Sequence, residues 1–190
     1  MSSTLIFGGA RSGKSAYAER LAQSADASST VIYVATAIND AASDEEMQAR
    51  IAHHRQRRPA HWQTVEQPYA LGELLLAHNQ PDKLILIDCL TVWLSNCLFA
   101  GGTPFPDIGT IVPPPVFAQQ RTALLQALPL MQAKVILVSN EVGMGIVPMG
   151  AVSRWFVDEA GRLNQALAAL ADQVVWVAAG LPLQLKGQSC

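Results

Sequence analysis

Cysteine is scarce: Cys89, Cys97 and Cys190 are the only three in 190 residues. The number is odd and the spacing wide, which excludes a disulfide framework and a C-x-x-C metal pair, so free thiols in a reducing cytosol are expected. Surplus charge of one sign is also missing. Thirteen Lys plus Arg stand against fifteen Asp plus Glu, a net charge of −2, and that balance gives no field to gather a polyanion over the whole surface. Nucleic acid is therefore not an expected partner. No apolar run reaches the roughly 18 residues of a membrane span. The start, Met1-Ser2-Ser3-Thr4-Leu5-Ile6-Phe7, has neither the basic beginning nor the long apolar stretch of an export signal. A soluble, cytoplasmic protein is predicted. Charged residues make up only 15% against 50% hydrophobic, enough apolar material for a core and too little charge for a disordered chain. The length predicts one domain over residues 1–190, and no repeat with a period of about 20–50 residues is present.

What the chain does contain is an alternation of two patterns. Five short apolar runs rich in β-branched residues, at 4–7, 31–35, 84–87, 135–138 and 174–178, read as buried parallel strands. Between them the clearest helix is 154–171, where Phe156, Ala160, Leu163, Leu167 and Leu170 share one face. Residues 15–24 and 44–58 are predicted as two more, the second opened by Ser43 or Asp44 as a cap. This order predicts an α/β fold, a mostly parallel doubly wound sheet with flanking helices. Residues 101–116 hold five prolines and predict a surface loop.

Directly after the first strand stands Gly8-Gly9-Ala10-Arg11-Ser12-Gly13-Lys14-Ser15, which satisfies G-x-x-x-x-G-K-[ST]. The glycines let consecutive N–H groups converge on phosphate oxygens, and the helix that follows turns its positive end to the same charge. Lys14 is placed to reach the β/γ-phosphates and the Ser15 hydroxyl to ligate Mg²⁺. Such a loop needs a second carboxylate for the metal at the end of a neighbouring strand. Asp88, after Leu84-Ile85-Leu86-Ile87, supplies it, with a strand-end turn or helix cap as the alternative. Asn140 and Glu141 end another strand, where open α/β sheets bind ligands; orienting substrate or water and forming a simple turn both remain open. No Asn-Lys-x-Asp element is present to specify the base.

Three of the four histidines and four of the thirteen basic residues crowd into Arg50-Ile51-Ala52-His53-His54-Arg55-Gln56-Arg57-Arg58-Pro59-Ala60-His61. No His pair has the i, i+4 spacing of a helical zinc site and no cysteine is near, so zinc is disfavoured. Two readings stand: a solvated basic helix end, or a phosphate clamp with an imidazole nucleophile that attacks an α-phosphorus and releases pyrophosphate.

Gly8–Ser15, Tyr33-Val34-Ala35-Thr36-Ala37, Arg50 to Trp62, Asp88-Cys89-Leu90-Thr91, Asn140-Glu141-Val142-Gly143-Met144-Gly145-Ile146-Val147-Pro148 and Gly161-Arg162-Leu163-Asn164-Gln165 together resemble the bifunctional adenosylcobinamide kinase/adenosylcobinamide-phosphate guanylyltransferase family. The likeness spans almost the whole chain. The His-His-x-x-x-Arg-Pro-x-His-Trp and Asn-Glu-Val-Gly-x-Gly-Ile-Val-Pro blocks are its specific part; the proline-rich 101–116 departs from it. The resemblance implies a P-loop NTPase of the RecA-like kind and two reactions of cobalamin nucleotide-loop assembly. ATP or GTP phosphorylates adenosylcobinamide, and then GTP guanylylates a histidine from which adenosylcobinamide phosphate takes GMP. By the family motif the nucleophile falls on His53, and nucleotide contacts fall on Gly8, Gly9, Ala10, Arg11, Ser12, Gly13, Lys14, Ser15, Ala35, Thr36, Ala37, His54, Arg55, Gln56, Arg57, Glu66 and Asp88. A carboxylate at Glu66 would accept from N1–H and the 2-amino group of guanine, which adenine does not offer; an exposed glutamate after a strand is the competing reading. The resemblance also implies a homo-oligomer, a trimer. Its rivals are a single-activity small-molecule kinase and a nucleotide-gated binding module.

Overall fold

The computed structural model describes residues 2–25, 29–38, 59–102 and 104–187. In chain order these form β1 (Ser3–Gly8), α1 (Lys14–Gln23), β2 (Thr30–Ala35), β3 (Gln63–Glu66), α2 (Leu71–Ala77), β4 (Lys83–Asp88), α3 (Leu90–Leu98), α4 (Pro115–Ala127), a 3₁₀ turn (Leu128–Leu130), β5 (Lys134–Asn140), α5 (Ala151–Leu170), β6 (Gln173–Ala178) and β7 (Leu181–Lys186). The predicted helix 44–58 and Cys190 lie outside the described residues.

The strands join one seven-stranded sheet in the order β3-β2-β4-β5-β1-β6-β7, parallel throughout except for the antiparallel pair β6–β7. Its inner strands are apolar along their length because both faces are covered. Alternate residues point to opposite sides. Leu5, Ile32, Ile85 and Leu137 pack with α2, α3, α4 and α5. Ile6, Tyr33, Leu86 and Val138 pack on the other face with Ala18 and Ala22 of α1. The expected doubly wound architecture is therefore present. All five predicted strands are found as β1, β2, β4, β5 and β6, and α1 and α5 start one and three residues earlier than the predicted helices.

Two strands and three helices escaped the pattern. β3, with sequence QTVE, is mostly exposed and carries no apolar run; β2 alone holds it in register. β7 contains Pro182, which an edge strand tolerates and a central one does not. α2 and α3 are short and almost wholly apolar on all sides, so no helical period stands out from them. The proline-rich loop ends sooner than predicted, because Pro115 opens α4, the helix position where a missing N–H costs nothing. Buried Ile111 and the packed ring of Phe105 fasten that loop to the core.

Gly72 sets how closely α2 approaches α4. A β-carbon built there would lie 2.6 Å from the Ala123 backbone, a contact that only movement of a helix relieves. Gly72→Ala is expected to destabilise the fold by about 1–3 kcal/mol, read as a fall in Tm of several degrees with no change in nucleotide affinity. Among the described residues no helix is long and apolar enough to cross a membrane.

Candidate active site

The C-terminal ends of the parallel strands gather the polar residues. Gly8 pairs with Asn140, Ala35 with Asp88 and Ala35 with Glu66, so residues far apart in sequence share one edge. β5 lies between β1 and β4. The ends of β1 and β4 therefore stand two strand spacings apart, about 10 Å, and the loop brings Lys14 back within electrostatic range of Asp88.

The loop is held in shape by its surroundings. Arg11 has φ 55° and Gly13 φ 93°, and alternation of this kind turns successive N–H groups inward as an anion nest. The Ser12 N–H donates to the Gly9 carbonyl at 3.2 Å, and no side chain among the described residues caps the start of α1. That positive helix end is thus left to an anion. On one flank the Glu141 N–H donates to the Gly8 carbonyl at 2.9 Å. On the other stands the β6–β7 turn, Ala179 at φ 51° and Gly180 at φ 80°, both left-handed as a type I′ hairpin requires. The Gly180 N–H donates to the Ser12 carbonyl at 2.8 Å. A β-carbon on Gly8 would lie 2.2 Å from the Val177 carbonyl oxygen, so only glycine lets the loop pass there.

Lys14 is buried to 8% exposure and its Nζ donates to the Gly9 carbonyl at 3.2 Å. Burial pulls its pKa below the usual lysine value, while Cys89 and Asp88 nearby oppose that shift. The Cys89 thiol is pushed up to about 11, first by burial and then by the Asp88 charge, which favours the neutral thiol. The Tyr33 hydroxyl donates to Asp88 Oδ2 at 3.1 Å. Thr36 is fully buried; its hydroxyl donates to the Cys89 carbonyl at 2.8 Å and accepts from the Cys89 N–H at 3.0 Å, while Asn96 binds the Thr36 carbonyl at 2.7 Å. The side chain and carbonyl of Thr36 are thus engaged in joining the loops after β2 and β4. Glu141 turns its carboxylate onto the Gly143 N–H, which is turn formation. The Asn140 N–H is anchored to Thr91 Oγ1 at 2.8 Å.

Glu66 ends β3 on the loop's edge of the sheet and is exposed. His61 lies in the turn before β3, at the end of that strand opposite to Glu66. His53, His54, Arg55, Gln56 and Arg57 lie outside the described residues. Asn96 and Gly180 were not singled out from sequence, and Tyr33 and Thr91 only as members of longer blocks without a role of their own, although a tyrosine inside an apolar strand is a signal, since a buried phenol needs a partner.

A family model described as cobinamide kinase / cobinamide phosphate guanyltransferase matches residues 4–185. The chain belongs to this family. Among curated proteins, it is 47% identical over 184 residues to the bifunctional adenosylcobalamin biosynthesis protein CobP of Pseudomonas aeruginosa, covering 97% of each chain. It is 45% identical over 184 residues to the protein CobU of Escherichia coli, covering 96% of this chain and 98% of that one. Solved structures extend the likeness to fold alone. An ATPase of a bacterial type III secretion system superposes with TM-score 0.56 at 12% identity, over 96% of this chain and 56% of its own. The assembled ATPase EscN of the enteropathogenic Escherichia coli type III secretion system gives 0.52 at 15%, over 94% and 43%. This chain thus has the α/β fold of these ATPases, as its phosphate loop and strand order require.

Proposed function

We propose that this chain carries out both reactions of its family at the edge built from Gly8–Ser15, Ala35, Glu66 and Asp88. In the first, the aminopropanol hydroxyl of adenosylcobinamide attacks the γ-phosphorus of ATP or GTP, breaking its bond to the β-phosphate oxygen and giving up the hydroxyl proton. The product is adenosylcobinamide phosphate. In the second, a nitrogen of His53 attacks the α-phosphorus of GTP and pyrophosphate leaves; the corrinoid phosphate then displaces the imidazole, giving adenosylcobinamide-GDP and free histidine. The observation that carries this reading is the shared edge: the phosphate loop and Asp88 align with Glu66, in a chain that matches the family model almost end to end.

Each residue has a role in this reading. Lys14 and the loop N–H groups hold the phosphates, His54, Arg55, Gln56 and Arg57 contact the nucleotide beside His53, and Glu66 accepts from guanine. The backbone of Ala35, Thr36 and Ala37 lines the nucleotide. Ser15 and Asp88 fit Mg²⁺, since both offer hard oxygen and this cation takes few protein ligands beside phosphate and water. Among the described residues no three His, Cys, Asp or Glu group together. When bound, the metal supplies charge neutralisation at the phosphates. A homo-oligomer, a trimer, belongs to the same reading; Leu181, Leu183 and Leu185, more than half exposed along the edge strand β7, support an apolar contact with another copy.

Incubation with γ-labelled and with α-labelled GTP, each with and without adenosylcobinamide, tests the assignment. The γ label is expected to move to the corrinoid only when acceptor is present, and the α label to attach to protein without it. Phosphoryl transfer with no protein labelling would leave a single-activity kinase; hydrolysis that ignores the acceptor would leave a nucleotide-gated module.

A further inference from the structure

We infer that Tyr33 is a positioning residue for the metal–nucleotide complex, acting through Asp88; this rests on the proposed role of Asp88 as the metal carboxylate. Tyr33 is 2% exposed, in the middle of β2 and among apolar side chains on the α1 face of the sheet. A phenol in such a place costs stability unless its hydroxyl finds a partner. Asp88 Oδ2 accepts from it, 3.1 Å away. Register makes the contact: Tyr33 lies opposite Leu86, and Asp88, two residues on, is the diagonal neighbour on the same face, within reach of an aromatic side chain.

The same strand fixes the backbone that follows. Thr36, just past the end of β2, binds both the N–H and the carbonyl of Cys89. One strand therefore holds the Asp88 carboxylate from below and its following peptide from the side. With Oδ2 engaged, the carboxylate is kept to one orientation. Ordering it in advance spares that loss of freedom when the nucleotide arrives, the way outer partners orient the ligands of other metal sites.

The test is equilibrium binding of a non-hydrolysable GTP analogue, with and without Mg²⁺, to wild type, Tyr33→Phe, Asp88→Asn and the double variant. Tyr33→Phe keeps the ring and its packing. Metal-free affinity is expected to stay near wild type while the gain from Mg²⁺ falls roughly tenfold. The double variant is expected to be no worse than Asp88→Asn alone, which a merely structural tyrosine would not produce. Full retention of the Mg²⁺ gain in Tyr33→Phe, with loss in Asp88→Asn, would overturn the role of Tyr33 and leave Asp88 standing. So would additive losses in the double variant. Retention of the gain in Asp88→Asn would remove the metal role of Asp88 and this inference with it.

Discussion

Lys14→Ala is expected to lower phosphoryl transfer and guanylylation together, each by about 10²–10³-fold. The reason is geometric. Among the described residues there is one phosphate loop, and Lys14 is its cation, held inside it against the Gly9 carbonyl. With the triphosphate lying in that loop in both reactions, as proposed, one ammonium serves both. The fold itself is expected to lose little, because the substitution removes a charge that burial already disfavours. Rates of both half-reactions, measured with labelled GTP, together with a thermal melt, check this. Loss of one activity with the other intact would mean that two separate nucleotide sites exist.

His53→Ala is expected to abolish covalent GMP attachment while phosphoryl transfer to adenosylcobinamide continues, since that step needs no imidazole. The adduct should behave as a phosphoramidate, lost in acid and kept in base, as a phosphorus–nitrogen bond to histidine requires. His61→Ala is expected to retain labelling, because His61 lies at the end of β3 opposite to Glu66. Labelling of His53→Ala to the wild-type extent would remove the covalent assignment and return the basic segment to a phosphate clamp.

The parts of the molecule legible in sequence were those where one local rule acted alone. Buried parallel strands must be apolar on both faces, and a phosphate loop must carry its glycines and lysine at fixed spacing, so β1, β4, β5 and Gly8–Ser15 could be read directly. Asp88 followed from both. What stayed hidden depends on neighbours distant in sequence. β3 is a strand only because β2 offers it hydrogen bonds, and nothing in QTVE says so. Tyr33 reads as one more apolar strand residue until the register sets it diagonal to Asp88. Thr36 was assigned to the nucleotide through resemblance; its hydroxyl proves to be engaged with Cys89, a pairing across 53 residues that no window of sequence contains. Gly180 carried no signal in the sequence, and its N–H donates to the Ser12 carbonyl.

The place of β1 also bears on how the chain is made. β1, which precedes both its neighbours in the chain, ends up between β5 and β6, and Ser3 is bonded to Asp172, 169 residues away. Partners this remote make for slow closure, because the intervening chain must be brought together before the contacts form. During synthesis β1 emerges with neither neighbour available, and the Gly180 flank of the phosphate loop is translated long after the loop itself. A nascent chain therefore has the glycines and the lysine long before it has the cradle. Nucleotide binding stabilises only the finished sheet, so GTP acts as a ligand of the completed fold and gives no help to the early stages of its formation.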